Sequence, residues 1–187
     1  MLILASASPR RRKILSNAGL SFEVRIPQSV DESVMPGEDP DAYVRRLALA
    51  KARACAPAAG EVILAADTTV VVDGVILAKP DDPADAARML RILSGREHSV
   101  LTGICLSGED FEIVDAAQSR VWFVSLTERE IEEYVRSGEP MDKAGAYGIQ
   151  GLASKFIQRI DGCYFNVMGL PVSLVYRHLR ERTGNMI

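Results

Sequence analysis

The chain has 187 residues, 48% hydrophobic and 25% charged, with a formal net charge of −3. That is the composition of a soluble globular protein with one substantial core, too short for two comfortable ones. The acidic balance argues against nucleic acid as a partner, and no apolar run approaches the ~18 residues of a membrane span.

Leu2 to Ala5 reads as a first strand, and the apolar run at Met1–Leu4 is too short for a signal-peptide core. Ser8-Pro9 predicts a helix, with Ser8 as N-cap and Pro9 in the first helical position, ending near Gly19. Arg10, Arg11, Arg12 and Lys13 crowd its first turn, where each exposed cation opposes the helix dipole by roughly 0.3–1 kcal/mol. Either these side chains bend back into solvent, or an anion sits among them, since free N–H groups and guanidinium forks both favour phosphate. Arg12 and Lys13 are the expected solvent-facing pair.

Ser21 to Ile26 alternates like a second strand, and Pro27–Pro40 is an acidic loop. Its Asp31-Glu32-Ser33 is either simply hydrated or a source of oxygen ligands for a hard cation such as Mg²⁺. Asp39 caps a helix from Pro40 to about Ala56, whose apolar stripe of Val44, Leu47, Ala48 and Cys55 includes Lys51. A lysine there either snorkels past its neighbours or meets an anion.

Val62–Ala66 has the content of a buried strand and runs into Asp67. Asp73-Gly74 between β-branched runs predicts a hairpin in which Val72 pairs with Val75. Counting outward puts Thr68 opposite Lys79 and Asp67 opposite Pro80. Alternation would point Asp67 and Lys79 to opposite faces, so a shared site needs a bulge or a strand end. Taken alone, Asp67 is either a strand-end carboxylate facing water or a site residue.

Asp82-Pro83 starts a helix that turns Ala86, Ala87, Leu90 and Leu93 to the core and ends at Ser94-Gly95. A strand from His98 to Leu106, a turn at Gly108–Asp110 and two strand-like runs, Phe111–Val114 and Arg120–Leu126, follow. His98 has no ligand-spaced neighbour and reads as structural. Trp122 and Phe123 suit packing or a dimer surface. Thr127 and Glu130 form a capping box for a helix reaching Ser137, with Gly138 after it.

Between Glu139 and Gly151, Gly145, Gly148 and Gly151 recur every third residue and let the backbone come close to a ligand. The spacing is neither Rossmann nor Walker. Tyr147 could stack on a ring, and Gln150 has the acceptor and two donors that reading a base edge needs; a plain mobile loop is the alternative. Lys155–Ile160 and Cys163–Val167 read as a hairpin around Asp161-Gly162. Gly169-Leu170-Pro171 leads to a final helix ending near Gly184, with His178 on its outer face. Strands interleave with helices and at least three hairpins are expected, which predicts a mixed α/β sheet in a single domain over 1–187. Cys55, Cys105 and Cys163 lack metal-ligand spacing and suit reduced thiols in a cytoplasmic protein.

Arg10, Arg11, Lys51 and Lys79, with Asp67 and Glu32, are jointly what a triphosphate and a divalent metal demand. Ser6-Ala7-Ser8-Pro9-Arg10-Arg11, Ala66-Asp67-Thr68, Lys79-Pro80, Ser94-Gly95, Asp142–Gly151 and Asn166–Pro171 together resemble the Maf family, in order along nearly the whole chain. The resemblance implies an α/β fold similar to inosine triphosphate pyrophosphatases: an elongated mixed β-sheet flanked by helices, in two lobes with a central cleft. It implies a nucleoside triphosphate diphosphatase, a pyrophosphohydrolase acting on acid anhydrides and dependent on Mg²⁺ or Mn²⁺. Water would attack the α-phosphorus and release pyrophosphate.

By the same resemblance Asp67 matches the proton acceptor, and Arg10, Arg11, Lys51 and Lys79 match phosphate-contacting positions. Glu32 lies near the metal, with Asp67 as a further ligand. Arg10, Thr68 and Gln150 match specificity positions of the branch that hydrolyses dTTP and UTP. A neutral amide at Gln150 can both donate to and accept from the O4/N3–H edge of thymine or uracil. A cytoplasmic, house-cleaning homodimer is implied; the alternative is a nucleotide-binding regulator of septum formation in which hydrolysis is incidental.

Overall fold

Backbone pairing joins seven strands into a mixed sheet: β1 (Leu2–Leu4), β2 (Phe22–Val24), β3 (Val62–Val72), β4 (Val75–Leu77), β5 (Glu97–Ser107), β6 (Glu112–Phe123) and β7 (Ile157–Asp161). Their order is β2-β1-β3-β5-β6-β7, with β4 paired to β3. The flanking helices are α1 (Pro9–Asn17), α2 (Pro40–Arg53), α3 (Pro83–Leu93), α4 (Glu128–Arg136), the single turn α5 (Tyr164–Val167) and α6 (Val172–Thr183). This is a computed structural model describing residues 1–183, so the expected helix end near Gly184 lies outside the described residues. β1 is parallel to both β2 and β3, whereas β3–β4 and β6–β7 are antiparallel, so the sheet is mixed as expected.

The chain packs as two compact units, each discontinuous in sequence. The first comprises residues 1–68, 102–117 and the segment from Gly169 onward. Ile3 of β1, Ala5 just after it, and Ile63 and Ala65 of β3 pack there with Ala48 and Ala52 of α2 and with Cys55 just beyond its end. Gly103 of β5 sets how close α2 lies. A Cβ at that position would stand 2.3 Å from the Val44 carbonyl oxygen, so only glycine lets this helix seat on the strand.

The second unit comprises 69–101 and 118–168. Its core gathers Val70, Val72, Leu77, Leu90, Leu93, Val121, Phe123, Tyr134, Tyr147 and Phe156. The hairpin register is as read, Val72 opposite Val75, but β4 ends at Leu77. Lys79 and Pro80 therefore lie outside the ladder, and the count that set them opposite Thr68 and Asp67 does not apply.

Three other expectations are corrected. Phe111–Val114 and Arg120–Leu126 belong to one strand, β6, because sheet pairing carries the poor strand formers of Asp115–Ser119 through without a break. Cys163–Val167 is no strand: β7 pairs with β6, Trp122 opposite Arg159, and the chain then winds into α5. That turn brings the buried Asn166 amide to the Val100 carbonyl at 2.9 Å and to Ser119 Oγ at 3.0 Å, which outweighs the strand preference of Tyr164 and Phe165. His178 is not on an outer face; its side chain is 13% exposed and Nε2 lies 2.9 Å from Asp115 Oδ2. His98 is buried and structural as expected, with Nε2 2.8 Å from the Tyr147 hydroxyl.

Candidate active site

β3 is buried along nearly its whole length, so a carboxylate on it must be paired or hydrogen-bonded. Asp67 is 7% exposed, and its Oδ1 accepts from Lys51 Nζ at 2.5 Å. Lys51 lies in the last turn of α2, on the buried stripe, where its side chain is 13% exposed. The same ammonium reaches Glu32 Oε1 at 2.6 Å. Of the two readings open for Lys51, the structure shows the one in which it meets anions.

The loop that carries Glu32 is tied to α2. Tyr43 donates to the Glu32 carbonyl at 2.9 Å, while Arg46 forks onto Glu38 at 2.6 and 2.8 Å and reaches the Ser33 carbonyl at 3.0 Å. Burial, reinforced by the nearby Asp67 and Glu32 charges, pushes the Tyr43 hydroxyl up to about 12, so it stays a neutral donor. An open pocket of about 440 Å³ is lined by Pro27, Gln28, Ser29, Val30, Glu32 and Lys51.

α1 supplies the next cations. Ser8 caps it as predicted, accepting from the Arg11 amide, and Arg12 and Lys13 are exposed while Arg10 and Arg11 are half-buried. The Arg11 guanidinium spends four of its five donors on the protein: Nε to the Gly169 carbonyl at 2.7 Å, Nη1 to the Ala66 carbonyl at 2.7 Å and to Ser6 Oγ at 3.3 Å, Nη2 to Thr68 Oγ1 at 3.1 Å. Burial lowers its pKa while the carboxylates of Asp67 and Glu32 raise it, and an arginine so placed stays charged. Thr68 Oγ1 also shares a hydrogen bond with Thr102 Oγ1 at 2.9 Å. Sequence reasoning missed Thr102, although a fully buried threonine interrupting the apolar run of β5 was the available signal.

Thus Lys51, Asp67 and Glu32 form one hydrogen-bonded cluster in the first unit, and Arg11 with Thr68 forms a second beside it on β3, coupled to Asp67 by charge, with Arg10 in the same helix turn as Arg11. Lys79 and Gln150 belong to the second unit, where both are exposed. The three glycines around Gln150 do not lie open for a ligand; they make room for the protein's own side chains. A Cβ at Gly145 would stand 2.7 Å from Val70, one at Gly148 2.6 Å from Lys143, and one at Gly151 2.1 Å from Glu139. Tyr147 is likewise engaged internally, edge-on to Phe123 with centroids 4.8 Å apart, so its ring is a core ring and not a stacking platform.

The sequence model of a family described as Maf-like protein matches residues 1–182. This chain belongs to the Maf family. A relative from Koribacter versatilis, named dTTP/UTP pyrophosphatase, is 52% identical over 181 residues, spanning 96% of this chain and 93% of that protein. Another of the same name, from Syntrophomonas wolfei, is 49% identical over 187 residues, 98% of each chain. Among solved structures, the Ham1 protein of Staphylococcus aureus superposes with a TM-score of 0.52 at 17% identity over 96% of this chain and 98% of that one. A HAM1 protein of Coxiella burnetii gives 0.51 at 18% identity, with the same coverage. At such identities the Maf and Ham1 chains share a fold, a mixed sheet flanked by helices.

The Maf site can also be tested against a divalent metal. Among the described residues no group of three or more His, Cys, Asp or Glu side chains is gathered for one. Two carboxylates meeting at a single ammonium fit a different coordination, in which a hard cation takes one or two carboxylates and completes its shell with phosphate oxygens.

Proposed function

We propose that this Maf chain, acting as a single domain over 1–187, is a nucleoside triphosphate pyrophosphatase that hydrolyses dTTP and UTP. The observation that carries the reading is a buried aspartate, Asp67, held at 2.5 Å by a lysine that also grips a second carboxylate. It stands in a chain 52% and 49% identical to relatives named for that activity.

Water attacks the α-phosphorus, and the bond from that phosphorus to the oxygen bridging to the β-phosphate breaks. Pyrophosphate leaves with the electron pair, and Asp67 takes the proton that the water loses. Asp67 and Glu32 would hold Mg²⁺ or Mn²⁺, which when bound would offset charge on the phosphate oxygens. Arg10, Arg11, Lys51 and Lys79 supply the cationic surroundings of the triphosphate. Arg11, with most of its donors already engaged, contributes charge and sets the Thr68 hydroxyl more than it grips oxygen. Arg10, Thr68 and Gln150 set base preference, the Gln150 amide pairing with the O4/N3–H edge of the pyrimidine.

The proposal is of a cytoplasmic homodimer with no nucleic-acid partner; no helix among the described residues is long and apolar enough to cross a membrane. The test is a nucleotide panel with Mg²⁺ in which both products are identified. The expected pairs are dTMP or UMP with pyrophosphate. Release of orthophosphate, or a purine preference, would contradict the reading, and tight binding without turnover would favour the septum-regulator alternative.

A further inference from the structure

Gln150 is exposed while the five residues before it, Gly145–Ile149, are all buried. It occupies the third position of a tight turn closed by the Gly151 amide on the Gly148 carbonyl at 3.1 Å. The amide that opens that turn and the one just past it are tied to one carboxylate. Leu152 N–H donates to Glu139 Oε2 at 2.9 Å. Gly148 N–H donates to the Tyr134 hydroxyl at 3.2 Å, and that hydroxyl donates to Glu139 Oε1 at 2.9 Å.

The direction of the chain is forced. A carboxylate only accepts, so the single phenolic proton goes to Glu139 and the phenol oxygen is left to receive the Gly148 amide. Tyr134 is itself packed into the core: it is 3% exposed on α4, edge-on to Phe156 with centroids 5.5 Å apart, and α4 starts from a complete capping box. Gly151 has no side chain to keep Glu139 away, which is why the carboxylate can lie against the turn.

We propose that Tyr134 and Glu139 are positioning residues that aim the Gln150 amide, and so set the preference for pyrimidine triphosphates. The inference rests on Gln150 reading the base. An amide distinguishes bases only if its donor and acceptor are held in a fixed direction, and a loop fixed before binding loses less entropy on binding. Since neither residue belongs to the Asp67 network, the brace acts on KM and not on kcat.

Tyr134→Phe and Glu139→Gln are compared with wild type using dTTP, UTP and ATP. For each, kcat/KM on dTTP and UTP should fall about three- to tenfold, the factor for one lost hydrogen bond, through KM alone, with ATP changed less than about twofold. Tyr134→Phe added to Gln150→Ala should shift the pyrimidine-to-purine ratio by less than about twofold. Amide exchange at Gly148 should quicken in Tyr134→Phe while the α4 amides keep wild-type protection. If Gln150→Ala leaves the ratio unchanged, base reading by Gln150 falls and the brace with it. If Gln150→Ala shifts the ratio but the brace variants do not, or lower kcat equally on all three nucleotides, only the brace proposal is overturned. Should Glu139→Gln fail to fold, Tyr134→Phe decides; failure of both to fold assigns the pair to stability and overturns the proposal.

Discussion

Lys51 Nζ stands 2.5 Å from Asp67 Oδ1, joining the last turn of α2 to the middle of β3. Because the same nitrogen touches Glu32 at 2.6 Å, one cation balances two acids that would otherwise repel. The pair also explains how an aspartate is tolerated within a strand whose neighbouring positions are apolar and buried.

Asp67→Asn keeps the size of the side chain and removes its basicity. Turnover of dTTP should drop at least ~100-fold, the scale for losing a general base, with nucleotide still bound in a calorimetric titration. Near-normal kcat would take the proton-acceptor role away from Asp67.

Arg11→Lys conserves charge but not the fork that reaches Gly169, Ala66 and Thr68 together. Stability in urea should fall by about 2 kcal/mol, since buried acceptors lose a charged donor. Base preference should relax as well, because the Thr68 hydroxyl is no longer held. A variant as stable as wild type would mean that the Arg11 contacts carry no structural weight.

Gly103→Ala would push a methyl group to 2.3 Å from the Val44 carbonyl, a backbone atom that cannot step aside without moving α2. Overpacking of this kind costs ~1–3 kcal/mol. The helix that shifts carries Lys51, so kcat should decline together with the melting temperature. Wild-type values of both would show that α2 has slack over β5.

Burial lowers His98 to about 4 from its ordinary 6.5, so the unfolded chain binds this proton more readily than the folded one. Its contribution is complete above pH 6.5 and is lost as pH falls from there toward 4, by up to ~3 kcal/mol. Urea titrations between pH 7 and 4.5 should show this slope in wild type and a flatter one in His98→Gln. Identical slopes would refute it. Carboxylates held down by partners, such as Glu38 by Arg46, add their loss only at lower pH, through and below their ordinary range near 4.5.

What could be read from the sequence was whatever local chemistry decides. Ser8, Asp39, Asp82 and Thr127 all cap the helices they were expected to start, because a cap needs only a side chain and the next few amides. The Asp73-Gly74 turn set the register of β3 on β4 for the same reason. What stayed hidden depends on partners far along the chain. Nothing near Arg11 announces that its fork closes on Gly169, and nothing near Asn166 announces Val100, so the internal contacts of the one and the helical turn of the other are invisible to local pattern. The glycines of 145–151 misled in an instructive way: the need for close approach was legible, but the approaching atoms belong to Val70, Lys143 and Glu139.

The seclusion of Gly145–Ile149 beneath a single exposed side chain has an evolutionary consequence. Any change in the buried residues disturbs packing, whereas a change at Gln150 alters what the surface displays and leaves the core intact. On the proposed role of Gln150, substrate range would therefore drift by single substitutions at one codon, while the scaffold around it is held in place by its own folding.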